Sequence, residues 1–79
     1  MNTYTVTVKY TNKVEGFVCE RSECLATDFR GAIQTAEKLR KELNAFFLAC
    51  GYDLSGQFTF SISCEYENGE VITSHGFFR

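Results

Sequence analysis

The side chains that could do chemistry in this chain are few, and the most suggestive pair is the single histidine, His75, with one of the four cysteines, Cys64. A cysteine within hydrogen-bond reach of a histidine is an arrangement used for nucleophilic catalysis. The alternating pattern around these residues predicts that both lie on the face of a sheet that a helix covers, where no substrate could reach them. We therefore expect His75 to be a structural core residue and the chain not to be an enzyme.

The remaining cysteines do not suggest a metal centre. Structural zinc sites draw on paired ligands two to four residues apart, whereas Cys19 and Cys24 have four residues between them. The chain starts without the basic and apolar run of a secretory signal, which favours the cytoplasm and reduced thiols. We expect no metal and no cofactor, with Cys50 and Cys64 buried; whether Cys19 and Cys24 pair is left open.

Acidic residues cluster towards the end of the sequence. Glu65, Glu67 and Glu70 surround a predicted hairpin tip, where solvated carboxylates lack the environment that separates an acid from a base. From Asp53 onward the chain contains four acidic residues, Asp53 and these three glutamates, and a single basic residue, Arg79. The sequence therefore predicts one acidic end of the molecule, which would attract basic partners.

The spacing of apolar residues changes twice along the chain and predicts the elements. It has period two over residues 4–10, period three to four over residues 29–50, and period two again over residues 58–66, which indicates strand, helix and strand. Residues 14–21 are predicted as a second strand that returns as a hairpin. Residues 22–26 either continue that strand or connect it to the helix.

The predicted helix has signals at both ends and one broad apolar sector. Thr27 or Asp28 can cap its start, and Gly51 suits the left-handed residue after its end. Leu48 lies off the sector, and we expect residues 52–56 to cover it; the alternative is an exposed contact patch. The apolar sector contains Phe29, Ala32, Ile33, Ala36, Leu39, Leu43, Phe46, Phe47 and Cys50.

The dipeptide Asn68-Gly69 predicts a two-residue type I′ turn between the last two strands. Such a turn fixes the register and would pair Ile62 with His75 on the apolar face. The same register places four residues of the last strand on the opposite face: Ile72, Ser74, Gly76 and Phe78.

These elements predict one α+β domain over residues 1–79. The layout is a two-layer ββαββ fold, in which one long helix crosses one face of a four-stranded antiparallel sheet with strand order 2-1-3-4. Strands two and four would be open edges. The face away from the helix would carry hydroxyl ladders formed by Thr3, Thr5, Thr7, Thr59, Ser61 and Ser63.

Nucleic acid and membranes are not expected partners. The formal net charge is −2, which gives little electrostatic drive towards phosphates, and Phe78 is the only aromatic residue predicted on the open face. No stretch reaches the roughly 18 apolar residues that a membrane span needs. The only basic cluster is on the helix and has glutamates beside it: Lys38, Arg40 and Lys41.

In its overall build, a short, mildly acidic chain with one sheet and one helix and without a catalytic motif, the protein resembles the small phage-encoded inhibitors known as anti-CRISPR proteins. The resemblance implies a cytoplasmic protein of phage origin that blocks a nucleic-acid-binding effector such as a CRISPR surveillance complex, by contacting a CRISPR-Cas subunit. Two alternatives are a self-associating homodimer without catalytic activity and a weak nucleic-acid-binding sheet. The expected partner contacts are Glu65, Glu67, Glu70, Asp53 and Leu48.

Overall fold

The computed structural model describes residues 2–14, 16–51 and 56–78. Its four strands form one antiparallel sheet in the order β2-β1-β3-β4, with one helix. The predicted α+β class, ββαββ layout and strand order are therefore confirmed. The elements are β1 (Asn2–Asn12), β2 (Phe17–Thr27), α1 (Phe29–Ala49), β3 (Gln57–Glu65) and β4 (Val71–Phe77).

Strand β1 is the centre of the core because its alternate side chains all point under the helix. The intervening threonines and Lys9 point to the open face, as the period of two requires. The open-face ladder is also confirmed, since Thr5 pairs with Ser63 and Thr7 with Ser61. The buried residues of β1 are Tyr4, Val6, Val8, Tyr10 and Asn12.

Strand β2 is longer than predicted and starts later. The tight turn before it contains Gly16, whose φ of 76° suits glycine and whose N–H donates to the Asn12 carbonyl at 2.9 Å. The strand therefore begins at Phe17 rather than at residue 14. Residues 22–26 continue it, with Cys24 opposite Thr5.

Helix α1 begins and ends where its capping residues predict. The Asp28 carboxylate accepts a hydrogen bond from the Gly31 N–H at 2.8 Å, which satisfies one unpaired donor of the first turn. Gly51 has a φ of 81° and donates to the Leu48 carbonyl at 3.1 Å. Both predictions, Asp28 as one of two candidate caps and Gly51 as the left-handed residue, are confirmed.

The buried stripe of α1 is narrower than the predicted sector. Phe29, Phe46 and Cys50 are exposed, so the expectation that Cys50 is buried is wrong. A helix on a single sheet meets protein on one side only, and residues at the margins of a broad sector stay in solvent. The buried helix residues are Ala32, Thr35, Ala36, Leu39, Leu43 and Phe47; Thr35 enters this stripe because its hydroxyl donates to the Gly31 carbonyl at 2.9 Å.

The helix lies towards one side of the sheet. It packs on β1, β2 and β3, and within the part of the chain that the structure describes it does not pack on β4. Two ion pairs join it to β2: Arg21 to Glu42 at 2.7 Å and Glu23 to Lys38 at 3.7 Å. Among the described residues β4 is therefore left without a covering layer, except at its end, where the Arg40 guanidinium of α1 lies 5.4 Å from the centre of the Phe78 ring.

The last loop is not the predicted type I′ turn. That turn needs a positive φ at both central positions, and among the described residues only glycines have one. Here the Tyr66 carbonyl accepts from the Gly69 N–H at 3.0 Å and the Tyr66 N–H donates to the Glu70 carbonyl at 2.9 Å. The loop thus has three residues, 67–69, between the closing pair Tyr66 and Glu70, with Gly69 as its left-handed residue.

One extra loop residue shifts the register of β4 and reverses its faces. His75 lies opposite Ser61, not opposite Ile62 as predicted. Because side chains alternate along a strand, the shift moves every β4 residue to the other side of the sheet. Phe78 is therefore on the helix side, with its ring 5.2 Å from that of Phe60, and Phe77 is on the open face.

Candidate functional site

His75 and Cys64 cannot act together in this fold. His75 is exposed on the open face, whereas Cys64 is buried on the helix side, so the sheet separates the two side chains. The prediction that His75 is a core residue is wrong, and the register shift explains the error. Beside Cys64, Tyr4 has its pKa raised above the usual tyrosine value by a hydrogen bond to the Cys64 side chain and by burial.

The cysteines are all free. Cys19 and Cys24 lie on opposite faces of β2, because one occupies an odd-numbered and the other an even-numbered position and side chains alternate along a strand. The structure therefore settles the question left open by the sequence, because the two thiols do not pair. Among the described residues no group of three or more His, Cys, Asp or Glu side chains could hold a metal ion.

A shallow groove of about 570 Å³ crosses the open face of the sheet. Lys9 and Glu20 lie opposite each other in it and carry opposite charges, so its net charge is small. Ser61 is the cross-strand neighbour of His75, but no hydrogen bond joins the two side chains in the structure. The groove is lined by Thr7, Lys9, Glu20, Thr59, Phe60, Ser61, His75, Gly76 and Phe77.

Several hydroxyl side chains of the open face, in and beside the groove, pair across strands. The distances are 2.8 Å from Thr7 to Ser22 and 2.9 Å from Ser63 to Thr73, and the Thr5 hydroxyl lies 3.3 Å from the Cys24 sulfur. These hydroxyl groups already have partners within the chain, so a partner that covered this face would displace their water and gain few new hydrogen bonds. The open face is thus a poor primary contact surface.

The β3–β4 hairpin forms an acidic surface at one end of the sheet. Glu65, Glu67 and Glu70 are exposed, and no ion pair joins any of them to another described residue. Thr3 lies opposite Glu65, and Asn2 lies opposite Thr27. The helix cap that follows Thr27 therefore belongs to the same end.

Asp28 is the acidic residue that sequence reasoning did not place at this end. Its side chain is exposed. The sequence predicted Asp28 only as a candidate helix cap. Arg30, in the first turn of α1, lies at this end too and forms no ion pair with the hairpin glutamates. Only the pairing of β1 with both β2 and β3 places Asp28 and Glu65 at the same end of the sheet, a long-range arrangement that no local pattern encodes.

Strand β4 is an open edge with exposed apolar side chains on both of its faces. Val71 is 59% exposed and Phe77 64% exposed on the open face, and Ile72 is 50% exposed on the helix side. The Phe78 N–H donates to the Phe58 carbonyl, so even-numbered residues point their backbone groups at β3. The outward backbone groups belong to Val71, Thr73, His75 and Phe77.

The other predicted contacts do not join this surface. Leu48 is 58% exposed, and the expectation that residues 52–56 cover it falls on a segment of which residues 52–55 lie outside the described residues. Leu48 lies at the opposite end of the sheet from Glu65, because α1 runs from Asp28 towards the Tyr10 end, where Phe47 packs. Asp53 lies outside the described residues.

Comparison with known proteins does not assign a role to this surface. No family model matches the chain, no curated protein matches its sequence and no solved structure matches its fold. Within the described residues, no helix is long and apolar enough to cross a membrane.

Proposed function

We propose that this protein is a non-catalytic binding module that holds a basic protein surface with its β3–β4 hairpin and the adjoining β4 edge. In the more specific form of this proposal, the bound surface is a nucleic-acid-binding site. The module then acts as an inhibitor of the kind implied by the resemblance to anti-CRISPR proteins, with a CRISPR surveillance complex as its target.

One observation supports this proposal above the others: unpaired carboxylates and an uncovered apolar edge strand adjoin each other. Glu65 lies directly opposite Val71, so charge and apolar area form one continuous surface. Charged groups that need no partner within their own molecule are available to steer association and to select a basic partner. The apolar side chains supply contact area that excludes water.

The backbone of β4 adds a directional component. Its outward N–H and C=O groups can pair with an extended segment of a partner, which is the recognition mode called strand addition. Carboxylates at the hairpin would meanwhile occupy positions that phosphate groups take on the partner. This combination accounts for inhibition by occupancy, without chemistry.

A charge-reversal experiment tests the proposal. The variant Glu70→Lys is compared with Glu37→Lys, which changes the net charge equally at an exposed helix position away from the hairpin. The probe is a purified CRISPR surveillance complex whose binding to target DNA is measured as the protein is added. We expect the natural protein and the control variant to block DNA binding, and the hairpin variant to need about tenfold more protein, or about 1.4 kcal/mol.

Two results would contradict the proposal in its specific form. One is a natural protein that leaves DNA binding by the complex unchanged. The other is a hairpin variant that inhibits as well as the control variant, because the inhibition would then not pass through the acidic hairpin.

A second candidate function, weak binding of single-stranded nucleic acid, is favoured by the corrected register. The shift places Phe77 on the open face, in the groove that also contains Lys9 and His75. An exposed ring can stack on a base, but one lysine opposite a glutamate gives little salt-dependent attraction.

Fluorescence anisotropy with a labelled oligonucleotide tests this second candidate. Binding, if this groove provides it, should appear only at low salt and should be lost in Phe77→Ala. Binding that survives Phe77→Ala unchanged would show that the groove is not responsible.

A further inference from the structure

We propose that the free edge of β2 pairs with β2 of a second copy of this chain, to give a two-fold symmetric dimer with one continuous eight-stranded sheet. This surface is separate from the β4 edge and does not depend on the proposed function. The sequence of β2 itself indicates a second copy as the partner. When two copies of the strand run in opposite directions, Arg21 of each can lie against Glu23 of the other.

The strand is unusually well suited to self-pairing by length and position. It has 11 residues, all of which pair with β1 on one side, and it carries no proline that would interrupt a second ladder. Its other side has no neighbour among the described strands, since β2 is the first strand in the order. A long unprotected edge of this kind is a template for pairing with another chain.

Charge selects the register. A two-fold axis through Ser22, the middle residue of β2, places Arg21 opposite Glu23 of the second copy, and Glu23 opposite its Arg21. Moving the axis by one residue places Arg21 against Arg21 or Glu23 against Glu23, which is destabilising. The favourable register is also the one that pairs the entire strand, from Phe17 to Thr27.

The backbone is in phase with this register. The hydrogen bond from the Phe78 N–H to the Phe58 carbonyl fixes which strand residues point which way. Carried across β3 and β1, this alternation turns the even-numbered residues of β2 outward, and an axis through Ser22 pairs even residues with even residues. About ten hydrogen bonds would then join the two copies, a number typical of stable interfaces. The outward residues are Val18, Glu20, Ser22, Cys24 and Ala26.

The helix supports the interface instead of blocking it. Arg21 and Glu23 lie on the helix side of β2 and already contact Glu42 and Lys38. Pairing two copies would therefore extend two separate ion pairs into a chain of four charges, Lys38, Glu23, Arg21 of the second copy and its Glu42. With α1 centred near β1 and strands about 4.8 Å apart, the two helices would run about 14 Å apart, which leaves room for these side chains.

Disulfide trapping tests the register. Directly opposite residues in a hydrogen-bonded antiparallel pair have Cα atoms about 5.5 Å apart, within the range that a disulfide spans. We expect Ser22→Cys to form a covalent dimer of about 18 kDa under mild oxidation, twice the 9.0 kDa of the chain. The matched control is Ser74→Cys, the same substitution at the middle of the other edge strand, β4, which should stay monomeric on a denaturing gel, as should the natural protein with its four cysteines.

Charge exchange tests the contacts and separates them from effects within one chain. Arg21→Glu or Glu23→Arg should weaken the dimer about tenfold or more in sedimentation equilibrium. The double variant Arg21→Glu/Glu23→Arg should restore it, although both of its ion pairs to α1 are lost. Circular dichroism would confirm that each variant is folded.

The proposal is overturned if the natural protein sediments as a monomer up to millimolar concentration. It is also overturned if Ser74→Cys crosslinks and Ser22→Cys does not, or if the double variant dimerises no better than the single ones. A dimer here leaves the β4 edge free, so failure of this proposal and failure of the hairpin proposal are independent results.

Discussion

At the scale of single residues, the aromatic cluster around Tyr10 is held by both ring packing and hydrogen bonds. Its hydroxyl accepts hydrogen bonds from the Gly56 N–H at 2.9 Å and from the Asn12 side-chain amide at 3.2 Å. This one atom therefore links the end of β1 to the start of β3. The rings that surround Tyr10 at centroid distances of 4.8 to 5.8 Å are Phe17, Phe47 and Phe58.

We expect Tyr10→Phe to lower the free energy of unfolding by about 1–3 kcal/mol, because the substitution removes the acceptor and leaves a buried amide with one partner fewer. Urea denaturation measures the change. The control is Tyr66→Phe, at an exposed ring, which should change stability by less than about 0.5 kcal/mol. Equal effects of the two substitutions would show that the Tyr10 hydroxyl does not contribute.

The surroundings of Gly56 leave no space for a side chain. A Cβ atom there would lie 2.5 Å from the Thr11 carbonyl oxygen and 2.5 Å from the Tyr10 ring, and the backbone oxygen cannot move aside. We expect Gly56→Ala to destabilise the protein by about 1–3 kcal/mol, as overpacking does. An unchanged melting temperature would mean that the segment before β3 can shift without cost.

At the scale of elements, the sequence predicted the strands and the helix but not the register of β4. Hydrophobic periodicity encodes β1, α1 and β3 locally, and Asp28 and Gly51 carry capping chemistry that does not depend on distant contacts. The type of the last turn depends on the φ angle of Asn68, which a type I′ turn requires to be positive and which is not positive here. The sequence Asn68-Gly69 is compatible with both turns, so it does not decide between them. One residue of difference there moved His75 from the predicted core to the open face.

The register can be tested by crosslinking within one chain. Ser61→Cys/His75→Cys places two thiols directly opposite each other on one face and should form an internal disulfide. Ile62→Cys/His75→Cys places them on opposite faces and should not. The reverse pattern, read by mass spectrometry after alkylation, would support the two-residue turn and would return His75 to the helix side.

At the scale of the whole molecule, the sequence predicted the acidic hairpin glutamates but not the surface to which they belong. Glu65, Glu67 and Glu70 were expected at a solvated tip, and they are exposed there. The uncovered state of β4 could not be predicted, because it depends on where α1 lies across the sheet. Leu48 was named as a partner contact through the alternative of an exposed patch on the helix, and the topology places it at the other end of the sheet from the glutamates.

The sheet has two unlike edge strands, and we propose that β4 serves a protein partner and β2 a second copy of the chain. Residue-resolved amide hydrogen exchange, followed at several protein concentrations, tests it most directly. We predict that the outward amides of Val71, Thr73 and His75 exchange fast at every concentration, while those of Glu20 and Ser22 become protected only as concentration rises. Protection of the β4 amides in dilute protein, or unprotected β2 amides at every concentration, would contradict this account.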